Sequence, residues 1–134
     1  MNGTILVVDD NPTIIKMLES ILEHQDYEVK CVETGEEGLE LLQDKLYDLI
    51  IIDVVLPGLS GWDLCKILQE SDRTKNVPII VLTGKKIEAD DEIKSFKLGA
   101  IDYMTKPFNT GVLLARIKAR IESFKNAQSN DKTE

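Results

Sequence analysis

Residues 49–53 read Leu49-Ile50-Ile51-Ile52-Asp53. Four consecutive branched apolar residues, with none of the alternation of a strand wetted on one side, describe a strand buried on both faces. Such strands belong to parallel sheets covered by helices above and below, so Asp53 should stand at the carboxyl edge of a sheet. Upstream, Ile5-Leu6-Val7-Val8 is a second short β-branched run, closed by Asp9-Asp10-Asn11-Pro12. Asp10 or Asn11 can cap a helix that has Pro12 in its first turn, and Ile14, Ile15, Leu18, Ile21 and Leu22 carry that helix to about His24.

The same alternation continues outward from these two runs. A strand over 28–32 contains Cys31, and Gly35 opens a helix through Leu39 and Leu42. After Asp53, Pro57-Gly58 and Ser60-Gly61 mark a loop with Trp62 in it, expected to pack at the rim of the carboxyl edge. Leu64, Ile67 and Leu68 line a third helix; a strand over 79–82 follows Pro78 and closes in Thr83-Gly84. A fourth helix carries Ile93, Phe96 and Leu98 and stops at Gly99, a fifth strand over 101–104 runs to Lys106-Pro107, and a last helix carries Leu114, Ile117, Ile121 and Phe124. Strands alternate with helices long enough to cross over. The expected fold is therefore a five-stranded parallel, doubly wound α/β sheet of order 2-1-3-4-5, a three-layer sandwich of the flavodoxin type. One domain over 1–125 and a polar tail over 126–134 account for the chain.

Composition narrows the function classes. Within 134 residues, 16 Lys+Arg against 24 Asp+Glu leave a net charge of −8, which disfavours direct nucleic-acid binding or an anionic membrane surface. A run of about 18 apolar residues, the length a membrane span needs, does not occur, and Met1-Asn2-Gly3-Thr4 does not begin a secretory signal. A cytoplasmic location is expected. Cys31 and Cys65 form no Cys-x-x-Cys pair and suggest two reduced, buried thiols, and His24 reads as an ordinary surface histidine.

In sheets of this order the ligand crevice lies beyond the carboxyl ends of the strands. Those ends carry Asp9, Asp10, Asp53, Thr83 and Lys106. Each alone has a structural explanation: a cap, a turn, a satisfied loop amide, a solvated charge. Together they bring three carboxylates, a hydroxyl and an ammonium to one edge. Carboxylates so packed repel one another, and a hard divalent cation relieves the repulsion through oxygen ligands; magnesium fits, with room for a phosphoryl group beside it. A carboxylate there can act as a nucleophile toward phosphorus.

Asp9-Asp10, the segment DVVLPGLSG from Asp53 to Gly61, Thr83-Gly84, and GAIDYMTKPF from Gly99 to Phe108 follow in order at the strand ends. With these motifs the chain, from about Thr4 to Ser123, resembles a response-regulator receiver domain of the single-domain, chemotaxis-regulator kind. The resemblance implies that Asp53 accepts a phosphoryl group from a histidine kinase or histidine phosphotransfer protein in a Mg²⁺-dependent reaction. Asp10, Asp53 and the backbone carbonyl of Val55 would hold the metal, with Asp9 acting through water. Lys106 and the Thr83 hydroxyl would each hold a phosphoryl oxygen, with Lys106-Pro107 in the cis form, and Gly84 would leave room for movement beside Thr83. It also implies a switch in which Thr83 and Tyr103 bias the face made by the fourth helix, the fifth strand and the last helix toward a downstream protein target. Lys94, Lys97, Asp102, Lys118 and Glu122 are assigned to that face.

On this reading the protein is a phosphoacceptor that assists its own phosphorylation and dephosphorylation, and not an enzyme. Val55, being apolar, cannot orient an attacking water, so loss of phosphate should be slow; Lys85 is the other position expected to affect water access. A flavin carrier is disfavoured because Asp9-Asp10 stands where its phosphate loop would be. A haloacid-dehalogenase-like phosphatase would need an acid at position 55, which is Val. A non-phosphorylated scaffold acting by constitutive contact, and a receiver fragment of a longer regulator, are the alternative readings.

Overall fold

The computed structural model describes residues 1–84 and 101–133. Its elements run β1 (Gly3–Val8), α1 (Pro12–His24), β2 (Tyr27–Val32), α2 (Gly35–Asp44), β3 (Leu49–Ile52), α3 (Gly61–Glu70), β4 (Ile79–Thr83), β5 (Ile101–Thr105) and α4 (Thr110–Thr133). The expected helix with Ile93, Phe96 and Leu98, and with it Lys85, Lys94 and Lys97, lies outside the described residues.

All five strands pair in parallel in the order β2-β1-β3-β4-β5, as the alternation of elements predicts. Ile5 and Val7 of β1 point to one layer, which α1 and α4 cover with Leu18, Leu22, Leu113, Ile117 and Ile121. Leu6 and Val8 point to the other, covered by Leu42 of α2 and Leu64, Cys65 and Leu68 of α3. Every residue of β3 is buried, and burying one such side chain contributes about 2 kcal/mol. With both faces apolar, alternation does not set the register. The charged residue at the strand end does, because drawing Asp53 into the sheet would strand a carboxylate there at a cost of several kcal/mol.

Helix ends follow local chemistry. Asn11 caps α1, its Oδ1 accepting from the N–H groups of Thr13 at 2.9 Å and Ile14 at 3.2 Å, so the cap falls to Asn11 and leaves the Asp10 carboxylate unspent. Thr34 and Ser60 cap α2 and α3. Two expectations are corrected. Trp62 stands inside the first turn of α3 and not in the preceding loop; it is half-buried against the α2–α3 layer, and its Nε1 is buried without a hydrogen-bond partner among the described residues. Cys31 is half-buried rather than buried, because β2 is an edge strand; Cys65 is fully buried, and both thiols are free. The last helix continues past Phe124 through the polar tail to Thr133, a stretch with no Gly or Pro to end it. Among the described residues no helix is long and apolar enough to cross a membrane.

Candidate functional site

The sheet register builds the site. Val8 and Ile52 are partners across β1 and β3, so the next residues, Asp9 and Asp53, emerge side by side; the Asp53 N–H donates to the Val8 carbonyl at 3.0 Å and the Asp9 N–H to that of Val32 at 3.1 Å. Thr83 pairs with Thr105 across β4 and β5, and the Lys106 N–H donates to the Thr83 carbonyl at 2.8 Å. The Lys106–Pro107 peptide is cis. Behind Asp53 the start of α3 presses so close that a Cβ on Gly61 would lie 2.2 Å from the Asp53 carbonyl oxygen and 2.5 Å from the Val54 Cα. Sequence reading gave Gly61 only a turn; its glycine is required by contact.

Asp9 and Asp53 are 2% and 7% exposed, whereas Asp10 is exposed. One carboxylate oxygen from each of the three lies within 4.8 Å of the others. Lys106 Nζ donates to Asp9 Oδ2 at 2.7 Å and to Asp53 Oδ2 at 2.9 Å. The remaining oxygens of the buried pair are also held: Asp9 Oδ1 accepts from the Asn11 N–H at 2.9 Å, and Asp53 Oδ1 from the Val55 N–H at 3.0 Å. Burial is the largest influence on the Lys106 ammonium and pushes its pKa down, but the hydrogen bonds and charges of Asp9 and Asp53 together outweigh it and leave the pKa raised. Lys106 is therefore a fixed cation at neutral pH.

Asp10, Asn11, Asp53, Val55, Thr83, Gly84 and Lys106 line one open crevice. The six residues assigned to chemistry by sequence thus converge: Asp9 lies behind it, hydrogen-bonded to Lys106, and the other five form its wall. Thr83 is fully buried, and a Cβ added to Gly84 would meet nothing within 4 Å among the described residues. One ammonium against three carboxylates leaves the cluster two charges negative. Hard oxygen donors with that residual charge suit Mg²⁺; the donor set fits the ion.

Tyr103 does not line the crevice. It is half-buried against the α2–α3 layer, with its carbonyl accepting from Arg116 Nη1 at 3.2 Å. Arg120 forms a two-pronged pair with Asp102, Nε to Oδ2 at 2.6 Å and Nη2 to Oδ1 at 2.7 Å, which raises the Arg120 pKa, mainly through those hydrogen bonds. The β5 side of the last helix is thus Arg116 and Arg120. Lys118 and Glu122 instead line a groove with Asn2, Gln25 and Tyr27, which corrects their expected placement beside β5. Spacing of four between 116 and 120 was the available signal; nothing local fixes which side of the helix meets the strand. Asn11 is the other member of the site that sequence reading treated only as a cap.

A family model described as the response regulator receiver domain matches residues 5–118. The uncharacterized transcriptional regulatory protein YclJ of Bacillus subtilis (strain 168) is 40% identical over 121 residues, which cover 90% of this chain and 52% of that protein. The chain thus spans about half the length of this curated relative. Among solved structures, the signal receiver domain of a signal transduction histidine kinase from Syntrophus aciditrophicus is 35% identical with a TM-score of 0.83, covering 90% of this chain and 91% of that one. The receiver domain of a sensor histidine kinase from Pseudomonas aeruginosa PAO1, described with a magnesium ion coordinated in the active site cleft, is 30% identical with a TM-score of 0.80, covering 90% and 98%.

Proposed function

Since this chain belongs to the response-regulator receiver family of two-component systems, we propose that Asp53 is its phosphoacceptor and that it takes its phosphoryl group from a histidine kinase or histidine phosphotransfer protein. The observation that carries this reading is the Lys106 ammonium held between Asp53 and Asp9 at the mouth of a crevice that also contains Asp10. Phosphoryl transfer asks a protein for position and charge neutralisation more than for covalent machinery. The Val55 N–H and Lys106 fix the Asp53 carboxylate in one orientation before a donor arrives. Once phosphorus is bonded to Asp53, Lys106 donates to one phosphoryl oxygen and the Thr83 hydroxyl to another. Asp10, Asp53 and the Val55 carbonyl would hold Mg²⁺, and Asp9 would act on it through water. When bound there, Mg²⁺ would supply positive charge to offset that on the phosphoryl oxygens.

Movement of Thr83 toward the phosphoryl group then biases Tyr103 and the β5 side of the protein between two arrangements, which a downstream protein target reads. The protein is a phosphoacceptor that assists its own phosphorylation and dephosphorylation. A cytoplasmic location goes with this reading. Intact mass after incubation with acetyl phosphate and Mg²⁺ tests it: the wild type should gain one phosphoryl group and Asp53→Asn none. No gain on the wild type, with either acetyl phosphate or a histidine-phosphorylated donor, leaves the scaffold reading.

A further inference from the structure

Asn11 has a side chain whose two ends face different tasks. Its Oδ1 is committed to the Thr13 and Ile14 N–H groups, and because the amide is planar this fixes Nδ2 on the opposite side, away from the helix. Nδ2 makes no hydrogen bond among the described residues, although Asn11 lines the crevice with Asp53, Val55, Thr83 and Lys106. Its backbone N–H is spent on Asp9 Oδ1, so the residue is anchored on both sides and its amide donor is held in place. Asp10, its neighbour on the crevice wall, repels an anionic donor, whereas the Asn11 amide is neutral and offers two N–H groups to oxygen.

We propose that Asn11 is a donor-contacting residue for phosphoryl transfer: its Nδ2 donates to an oxygen of the incoming acyl phosphate at the crevice mouth and so helps set which phosphodonors react. This rests on Asp53 being the phosphoacceptor. With acetyl phosphate, an Asp53 carboxylate oxygen forms the bond to phosphorus, the bond from phosphorus to the acetyl oxygen breaks, and acetate leaves with the electron pair. Asn11 exchanges no proton; it orients the donor.

Asn11→Ser, Asn11→Asp and Thr13→Asp separate this role from capping. Serine and aspartate both keep an acceptor for the cap, so melting temperatures should stay near the wild type. Thr13→Asp places the same charge two residues on, at an exposed position outside the crevice. The measurement is the rate of Asp53 labelling by acetyl phosphate at saturating Mg²⁺, resolved into maximal rate and half-saturating donor concentration. Loss of one hydrogen bond to an oxygen of the anionic donor should slow labelling by Asn11→Ser about tenfold at low donor concentration. Asn11→Asp should slow it more than about tenfold, with part of the loss recovered at high salt, and Thr13→Asp should stay within about twofold, as an exposed charge beyond the site does. Wild-type rates in Asn11→Ser, or equal slowing in Asn11→Asp and Thr13→Asp, would overturn the assignment. A wild type that takes no phosphoryl group at all overturns the phosphoacceptor reading itself, and this inference falls with it.

Discussion

The Lys106 ammonium stands 2.9 Å from Oδ2 of Asp53 across 53 residues of sequence, and the same nitrogen reaches Asp9 at 2.7 Å. Both carboxylates are nearly out of water. A cation shared by two buried anions supports the local structure and at the same time occupies the group proposed to react.

Removing that cation should therefore cost stability before it costs anything else. Lys106→Met leaves Asp9 and Asp53 facing each other unpaired, and breaking a buried pair in this way costs about 3 kcal/mol. The melting temperature without divalent ions should fall, and millimolar Mg²⁺ should raise it by more than it raises the wild type, since the ion then meets a more negative pocket. Equal Mg²⁺ responses in the two proteins, read by differential scanning fluorimetry, would count against the shared-cation description.

Asp10 makes the converse case. It is exposed and contributes an oxygen to the three-carboxylate cluster. The wild type should gain thermal stability with Mg²⁺ in the millimolar range, because an ion that binds only the folded state stabilises it. Asp10→Asn should lose most of that gain while melting at or slightly above the wild-type temperature in the absence of metal. A flat wild-type response would reject the metal assignment.

Two glycines should respond oppositely to the same added methyl group. In Gly61→Ala the Cβ meets the Asp53 carbonyl oxygen and the Val54 Cα, both backbone; neither can yield without moving the segment that carries Asp53, and the change should destabilise by about 3 kcal/mol. The Cβ of Gly84→Ala meets nothing within 4 Å among the described residues, and the change should shift stability by less than about 0.5 kcal/mol. Urea denaturation of the pair would decide it; similar midpoints would show that α3 can retreat.

Alkaline pH should weaken the fold through Cys65. Burial pushes its thiol up to about 12 from an ordinary value of 9.0, so the unfolded chain releases this proton first. The stabilisation is complete below about pH 9 and is lost as pH rises toward 12, at a slope near 1.4 kcal/mol per pH unit for one group. Lys106, whose pKa is also raised, loses its contribution in the same direction. Cys65→Ala should flatten the unfolding free energy against pH by that slope between about pH 9 and pH 11; an unchanged slope would place the alkaline sensitivity elsewhere.

Val55 governs the proposed lifetime. Its side chain is 57% exposed beside Asp53 and has no polar atom with which to orient water. Val55→Asn should speed hydrolysis of phospho-Asp53 several-fold through an amide that can position the attacking water, with little change in melting temperature. Minute-scale loss in the wild type, unchanged in the variant, would reject this role.

How much of this was legible in the chain divides by distance. Leu49 to Ile52 declared a doubly buried strand, and the alternation around it gave the sheet, because backbone propensity and side-chain period are local properties. Asp9, Asp10, Asp53, Thr83 and Lys106 could be named for the same reason: each ends a recognisable strand. Asp10 and Asn11 both suit the cap of α1 by side chain, and only the folded turn assigns it to Asn11. Lys118 and Glu122 suit the face shared with β5 by sequence, because exposure alone does not say which side of a helix a residue faces, but they line the groove with Asn2, Gln25 and Tyr27.

The sequence by itself therefore determined the elements, their order and the residues at the carboxyl edge. The tertiary structure decided which oxygen each group takes: Lys106 on Oδ2 of both acids, Asn11 and Val55 N–H groups on Oδ1. It also decided that Gly61 must be glycine and that Arg116 and Arg120, not Lys118 and Glu122, border β5. These facts depend on strand register and helix rotation, which are set by packing between segments tens of residues apart and leave no mark in any short stretch of chain.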